Sequence, residues 1–395
     1  MRLIPFDYAV RNLGRSPLRL ALSVGGASVV VLLVIVAAGF VRGMELALAT
    51  TGGRHNVMIL GAGSEESVER SEIPASTPSL LEASVPGIRA DAGVAYVSPE
   101  VHAMMPVECE STGAARQVMM RGVTPAASLV HEQVRIVEGR WPIAGQGEVM
   151  IGAASATVLG VPSAALAVGG RVRFDGRSWE IVGRFASPGT IVEAETWIPL
   201  ADLLAASRRE TISCVIVTLQ PYDEASGEGA EFADIDAFTK TRPDLELVAM
   251  PERDYYGALA RFFGPVRLVA WLTAALIATG GLLGGLNTMY AAFASRIREL
   301  GTLQALGFRR AAILWSMVQE STLATTAGSL LACAAGVWLL DGVAVRFSMG
   351  AFGLVVDQQV ILMALASGVA LGVAGTLPPA VRCLRPPIPE ALKAA

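Results

Sequence analysis

Lysine is nearly absent from this 395-residue chain: Lys240 follows Thr239, Lys393 follows Leu392, and there are no others. A P-loop needs a Gly-Lys-Ser/Thr triplet, so the chain does not bind and hydrolyse ATP by that route. Histidine is almost as scarce. His55, His102 and His131 stand singly, and no His-x-x-x-His or Cys-x-x-Cys spacing suggests zinc. A lone histidine is far more often a surface or packing residue than a ligand. Ser64, in Gly61-Ala62-Gly63-Ser64, lacks the Gly-x-Ser-x-Gly elbow of a serine hydrolase. Charged residues make up only 17% of the chain, and a net charge of -4 gives no reason to expect nucleic acid as a partner. Of the four cysteines, Cys333 and Cys383 fall in or beside apolar runs. Cys109 and Cys214 remain as a pair that an oxidising compartment could bridge; two free, buried thiols is the blander alternative.

What the chain has instead is long apolar runs. Leu20–Val41, Leu268–Ser295, Ser321–Leu340 and Gln358–Val381 contain no charged residue. Each reaches the roughly 20 residues a helix needs to cross a hydrocarbon core. Hydrophobic residues make up 53% of the chain and its mean hydropathy is +0.51, values unusual for a soluble globule. The first run exceeds the 7 to 15 residues of a signal-peptide core, so Ala47-Leu48-Ala49 is not expected to be cleaved.

Arginine fixes the expected orientation. Arg2, Arg11, Arg15 and Arg19 precede the first run; Arg296, Arg298, Arg309 and Arg310 separate the second from the third; Arg382, Arg385 and Lys393 follow the fourth. By the positive-inside rule both termini and the 296–310 loop are cytoplasmic, and the long insert after the first run faces outward. The insert reads as an α+β domain. β-rich runs are expected at 56–60, 101–107, 117–122, 171–174, 179–185, 190–198 and 214–219, and helices near 76–83, 153–159, 200–207 and 228–242. Gly61–Pro78 and Pro221–Gly229 read as loops. Met104, Met105, Met119 and Met120 could form an adaptable binding surface, although methionines in such runs are more often core filling.

No ionisable residue lies inside the runs, which disfavours an ion-coupled transporter; Glu320 sits at the edge of the third, within reach of water or of Arg309 and Arg310. Gly280, Gly281, Gly284 and Gly285 place small residues on one helix, as Gly368 and Gly372 do on another. Such faces let helices approach closely, either within one chain or across a dimer. Asn287 and Gln319 are candidates for hydrogen bonds between helices. Ile297, Leu300, Leu303 and Leu306 recur about once per turn before Gly307, which reads as a short amphipathic helix along the membrane surface, either a passive anchor or a docking helix.

The runs Asn287-Thr288-Met289-Tyr290, Arg296-Ile297-Arg298-Glu299-Leu300-Gly301-Thr302-Leu303-Gln304-Ala305-Leu306-Gly307 and Gln319-Glu320-Ser321 resemble the FtsX-like, or MacB-type, ABC transporter permeases. The tail, Pro378-Pro379-Ala380 and Ile388-Pro389-Glu390-Ala391-Leu392, looks like the family's proline-broken last span and closing Pro-x-Glu-Ala-Leu. Ala9-Val10-Arg11-Asn12-Leu13 before Arg15-Ser16-Pro17 is similar to its amphipathic first helix. The resemblance covers essentially the whole chain.

It implies a non-catalytic permease subunit of the inner membrane with no cofactor of its own, ATP being bound by a separate cytoplasmic ATPase. A second permease copy or paralogue and a periplasmic adaptor protein would complete the assembly. Four transmembrane helices are expected at 20–43, 265–295, 311–340 and 358–381, with a cytoplasmic lead-in at 1–19, a short outer loop at 341–357 and a tail at 382–395. Residues 44–264 would be a MacB-like domain: a porter part, 44–121 and 211–264, carrying an inserted β-rich part at about 122–210. Arg296, Ile297, Arg298, Glu299, Leu300, Gly301, Leu303, Ala305, Leu306 and Gly307 would form the ATPase-coupling helix. Helical stalks at 42–50 and 254–263 would carry its motion outward by mechanotransmission. The implied work is export of a lipid, lipoprotein, peptide or drug-like substrate. Signalling to a periplasmic partner such as a cell-wall hydrolase is the alternative, and neighbouring genes would separate the two.

Overall fold

The structure, a computed structural model, describes residues 6–221, 229–347 and 350–393. Of the expected loop Pro221–Gly229, residues 222–228 lie outside the described ones, as does Arg2. The chain divides into a helical unit, comprising residues up to Arg42, Pro265–Val343 and Leu354 onward, and a second unit of Gly43–Gly264 with Ala344–Gly353.

In chain order, α1 (Phe6–Gly14) leads into α2 (Pro17–Thr51), and β1 (Asn56–Gly61), α3 (Thr77–Ser84), β2 (Ala90–Asp91), β3 (Val94–Ala95), β4 (Val97–Cys109) and β5 (Ala114–Val123) follow. Next come α4 (Ala127–Val130), β6 (Arg135–Gly139), β7 (Glu148–Gly152), α5 (Ser155–Leu159), β8 (Arg171–Phe174), β9 (Arg177–Ala186), β10 (Thr196–Pro199), α6 (Leu200–Ser207) and β11 (Cys214–Thr218). The last stretch holds α7 (Phe232–Thr241), β12 (Leu247–Pro251), α8 (Glu252–Phe262), α9 (Gly264–Ala294), α10 (Ile297–Ala305) and α11 (Arg310–Ala335). A hairpin, β13 (Ala344–Phe347) and β14 (Gly350–Gly353), then precedes α12 (Gln358–Cys383) and α13 (Ile388–Lys393).

Among the described residues, four helices are long and apolar enough to cross a membrane: Leu20–Thr51, Gly264–Ala294, Arg310–Leu340 and Gln358–Cys383. α12 continues past Pro378 and Pro379 instead of breaking there; Pro379 and Ala380 are buried, and that packing offsets the backbone hydrogen bonds the prolines forgo. In lipid there is no hydrophobic drive between helices, so close approach decides which ones pair. At Gly328 of α11 an added Cβ would lie 2.6 Å from the Val24 carbonyl of α2, and Ser28 Oγ of α2 donates to the Gly328 carbonyl at 2.9 Å. Gly368 and Gly372 of α12 sit hard against Ser329, Thr325 and Thr322 of α11. Gly281 of α9 meets Val30 of α2, whereas Gly280, Gly284 and Gly285 face open space.

The second unit is built on one ten-stranded sheet whose path runs β12-β1-β11-β4-β5-β10-β7-β9-β6, with β8 bridging β4 and β9. β4 does the joining. Its first residues pair antiparallel with β11, Glu100 opposite Cys214, and the remainder pairs with β5, from Val101 opposite Gly122 to Cys109 opposite Ala114. One buried cluster therefore runs through both expected parts of the domain, from Val57 and Ile59 to Val149, Ile181 and Val217. β4 also separates the two cysteines: nine residues at about 3.3 Å each put Cys109 roughly 30 Å from the Cys214 pairing position. Both thiols are free and buried.

Three details differ from the expected elements. Residues 190–198 are a 3-10 turn, Ile191–Ala194, followed by the short strand β10. There the Thr190 hydroxyl donates to the Ser187 carbonyl at 2.7 Å, a local bond that competes with the sheet ladder. The 341–357 loop contains the β13–β14 hairpin. The helix expected from Asp254 to Phe263 stops at Phe262 before α9 begins at Gly264.

Gly372→Leu should force α11 and α12 apart and lower the thermal midpoint of the detergent-solubilised protein by several degrees. Gly280→Leu, at a glycine whose added Cβ would find no atom within 4 Å, should lower it far less. Equal midpoints for the two variants would refute this account of the helix packing.

Candidate functional site

α10 is short, and its first turn is tethered by charge. Arg296, the residue before it, is buried; its Nη1 lies 3.2 and 3.3 Å from the two carboxylate oxygens of Glu320 on α11, and its Nε 3.3 Å from Glu299. Asn12 of α1 donates its side-chain N–H to Glu320 from the other side. Asn12 and Glu320 are themselves buried, so one carboxylate ties α1, α10 and α11 together. Glu320 therefore takes Arg296 and Asn12 as partners, where the sequence pointed to Arg309 and Arg310, because the turn after α9 brings Arg296 back over α11.

The apolar residues of α10 divide its two faces. Leu300 is buried with Phe293, Ile313, Met317 and Leu384, and Ile297 and Leu303 pack on that cluster. Gly301 faces Ala391 of α13, where an added Cβ would come to 2.9 Å. The helix ends on Gly307 at φ +92°, with the Phe308 amide donating to the Leu303 carbonyl at 3.1 Å. Arg298, Glu299, Thr302, Ala305, Leu306 and Gly307 remain exposed, Leu306 at 66%. Of the ten residues expected to contact an ATPase, Arg296, Leu300 and Gly301 are thus turned into the helical unit.

The glycines of α9 divide likewise. Gly281 is used inside the chain, while Gly280 and Gly284 share an open face with exposed Asn287, and Leu276 nearby is 73% exposed. Among the described residues of α9 only Ala274, Ala292 and Phe293 are buried.

The second unit holds a buried ionic cluster that the scattered histidines gave no reason to expect. Arg121 of β5 donates through Nε and Nη2 to the two oxygens of Glu195 and through Nη1 to Glu100 of β4, each at 2.7 Å. Glu100 also accepts from Ser98 Oγ at 2.9 Å and lies 2.7 Å from His131 Nε2 and 3.3 Å from His102 Nε2. Trp197 Nε1 donates to Glu195 at 2.9 Å, and Glu252 accepts from Asn56 at 2.8 Å. Burial alone would raise the Glu100 carboxyl, but the charges of His131 and Arg121 hold it well below the usual range. Burial works against a charged His131, and the Glu100 carboxylate outweighs it, so His131 titrates above 6.5. His102, desolvated and facing Arg121, moves the opposite way. Glu100, His102 and Cys214 bring ligand-type atoms within 4.8 Å of one another. Arg121 already fills the cationic position beside Glu100, and burial raises the Cys214 thiol well above its ordinary value. The signal for this cluster was the i, i+2 pair Glu100 and His102 on one face of β4; its other members come from distant strands.

Four membrane-length helices, a large sheet unit between the first and second and a tethered short helix between the second and third define a polytopic membrane protein of permease architecture. Residues 20–232 match the MacB-like periplasmic core domain, and residues 271–386 match the FtsX-like permease C-terminal domain. The chain belongs to the FtsX/MacB-type family of ABC transporter permeases, whose members work with an ATPase partner. It is similar to the periplasmic region of MacB from Actinobacillus actinomycetemcomitans, at 12% identity and a TM-score of 0.39 over 51% of this chain and 91% of that one. It is also similar to the extracellular domain of the noncanonic ABC-type transporter YknZ from Gram-positive bacteria, at 14% identity and a TM-score of 0.37 over 49% of this chain and 99% of that one. No curated protein sequence matches the chain.

Replacing Glu320 by Ala leaves the buried Arg296 with only the more exposed Glu299 as a carboxylate partner, a loss of at most about 3–5 kcal/mol. α10 should loosen, and limited trypsinolysis at Arg298 and Arg309 should accelerate; an unchanged digestion rate would show that the tether does not hold α10. In the second unit, a histidine whose folded pKa is raised contributes stability that is fully present below the unfolded value of 6.5 and lost as pH rises through the folded value. The stability lost in His131→Gln should therefore be largest below pH 6.5 and shrink above it, as read by tryptophan fluorescence during denaturation. A loss that grows with pH would contradict a protonated His131.

Proposed function

We propose that this chain is the permease subunit of an ABC transporter of the inner membrane, with both termini in the cytoplasm and residues 44–264 outside. It converts ATP binding and hydrolysis by a separate ATPase into rearrangement of the outer domain. The work done is export of a lipid, lipoprotein, peptide or drug-like substrate taken from the outer leaflet or periplasm, with an adaptor protein as outer partner. The chain is not itself an enzyme; the ATPase subunit holds the nucleotide.

One observation carries this reading: α10 presents Arg298, Thr302, Ala305 and Leu306 outward while its opposite face and Arg296 are fixed to α1, α11 and α13. A helix free to slide would absorb a push, whereas one clamped at its first turn and along its inner face passes the push to the spans it touches. The arginine distribution supports a cytoplasmic position for it. The four spans bury no charged side chain at mid-depth, which suits a machine that moves levers and conducts no ion. The open face of Gly280, Gly284 and Asn287 supports a second permease copy or paralogue packed against α9, since small residues admit a backbone and a polar amide favours a hydrogen-bonding neighbour over lipid. On that reading Gly284→Leu yields monomers by mass photometry, and a Gly284→Leu dimer of normal strength sinks it.

Leu306→Glu should weaken capture of the partner ATPase at least about tenfold, roughly 1.4 kcal/mol. It should also abolish permease-dependent ATPase stimulation in nanodiscs, with the thermal midpoint unchanged because Leu306 is exposed. Leu300→Glu, buried beneath it, should unfold the helical unit instead. Wild-type stimulation by the Leu306→Glu complex would remove α10 from the coupling path.

A further inference from the structure

The second unit contains a pocket of about 80 Å³, with room for one end of a ligand. Its lining comes from the outer end of α2, the 3-10 turn Val68–Arg70, β4, β5, α8 and the β13–β14 hairpin, all within this unit. The walls are apolar and aromatic. Met44 and Met119 line it beside Tyr255, Phe263, Phe347 and Phe352, and the Phe263 and Phe347 rings meet edge to face at 4.9 Å.

Its charges do not balance. Arg121 reaches the pocket with its positive charge already committed to Glu195 and Glu100. Glu66 and Glu69 line the same space, and among the described residues no ion pair reaches the Glu69 carboxylate; Arg70 beside it in sequence is exposed. Glu69 is half-buried, and burial raises its carboxyl above the ordinary range, outweighing the opposing charge of the exposed Arg70. Its backbone is pinned in place. The Val68 amide donates to the Tyr255 hydroxyl at 3.1 Å, and Arg209 donates to the Ser71 carbonyl at 2.6 Å and the Glu69 carbonyl at 3.4 Å.

We propose that this pocket binds a small organic cation with an apolar body, such as an aryl or alkyl ammonium ion, whose charge lies against Glu69 and whose body lies among the aromatic rings. An ammonium ion there gains the missing counter-charge for Glu69 and the faces of several π-systems within a partly desolvated site, where both interactions are stronger than in water. An anion meets two carboxylates and a guanidinium that is already saturated. The inference rests on this pocket alone and stands whether or not α10 couples to an ATPase.

Isothermal titration of the full-length protein in non-ionic detergent with benzyltrimethylammonium tests it, with benzenesulfonate as an anion of similar size. Saturable binding of the cation and none of the sulfonate is expected. Glu69→Gln should weaken binding at least about fivefold, roughly 1 kcal/mol, at an unchanged thermal midpoint. Gly350→Leu keeps every charge and fills the space, and should also abolish binding. No saturable heat with the wild type, equal binding of the sulfonate, or unaltered affinity in Glu69→Gln each overturns the assignment.

Discussion

A guanidinium taken out of water has to bring its counter-charge with it, and both units of this chain are organised around such a group. In the helical unit Arg296 is buried because Glu320 waits for it on α11, and Glu320 is tolerable there because Arg296 spans both its oxygens and Asn12 adds a second donor to Oε2. Take away Glu320 and both Arg296 and Asn12 lose the acceptor they share. The geometry is directional as well: hydrogen bonds to one carboxylate fix α1, α10 and α11 in a single arrangement that apolar side chains, free to slide over each other, would not specify.

Arg121 plays the same part in the sheet unit on a larger scale. Two buried carboxylates, Glu100 and Glu195, share one guanidinium, and Glu100 in turn raises the pKa of the buried His131 beside it. The members come from β1, β4, β5, the loop after α4, the stretch before β10 and the first turn of α8. The cluster thus closes one end of the unit by linking segments far apart in sequence. The same side chains that close the core also back the pocket, so a ligand there would sit on the most constrained part of the unit.

The spans, the amphipathic α10 and its stop at Gly307 were legible because each rests on a local property: unbroken apolarity, a repeat of about one turn, and a glycine able to take a positive φ. α6 appeared over Leu200–Ser207 as the pattern indicates. The turn at Ile191–Ala194 was not legible, because its β-branched residues look like strand and are redirected by the Thr190 to Ser187 bond and by the Ile191 amide donating to the distant Thr51 hydroxyl. Nor was the cluster around Arg121. A histidine at 131 and an arginine at 121 carry no mark of sharing one carboxylate until β4 and β5 pair, and that pairing is a long-range fact. Which coupling-helix residues face inward was only partly legible: a three-residue repeat drifts by about 60° per step, so Leu306 lies roughly 120° round the helix from Leu300, and the packing of α13 over Gly301 shows which of the two directions is inward.

Glycine spacing illustrates where local reading ends. Gly281 and Gly284 lie three residues apart on one helix, and sequence alone treats them alike. Gly281 has been spent on Val30 of the same chain, so any larger residue there disturbs the fold of one copy. Gly284 meets nothing, and a small residue that meets nothing gives α9 no packing energy and the usual glycine penalty within a helix. A helix that accepts that penalty at Gly280 and Gly284, and exposes Asn287 on the same side, is poorly suited to bare lipid and well suited to another helix. The contact that fixes α9 against α2 and the face that α9 leaves open are therefore laid down by the same residue type, separated only by the direction each glycine faces.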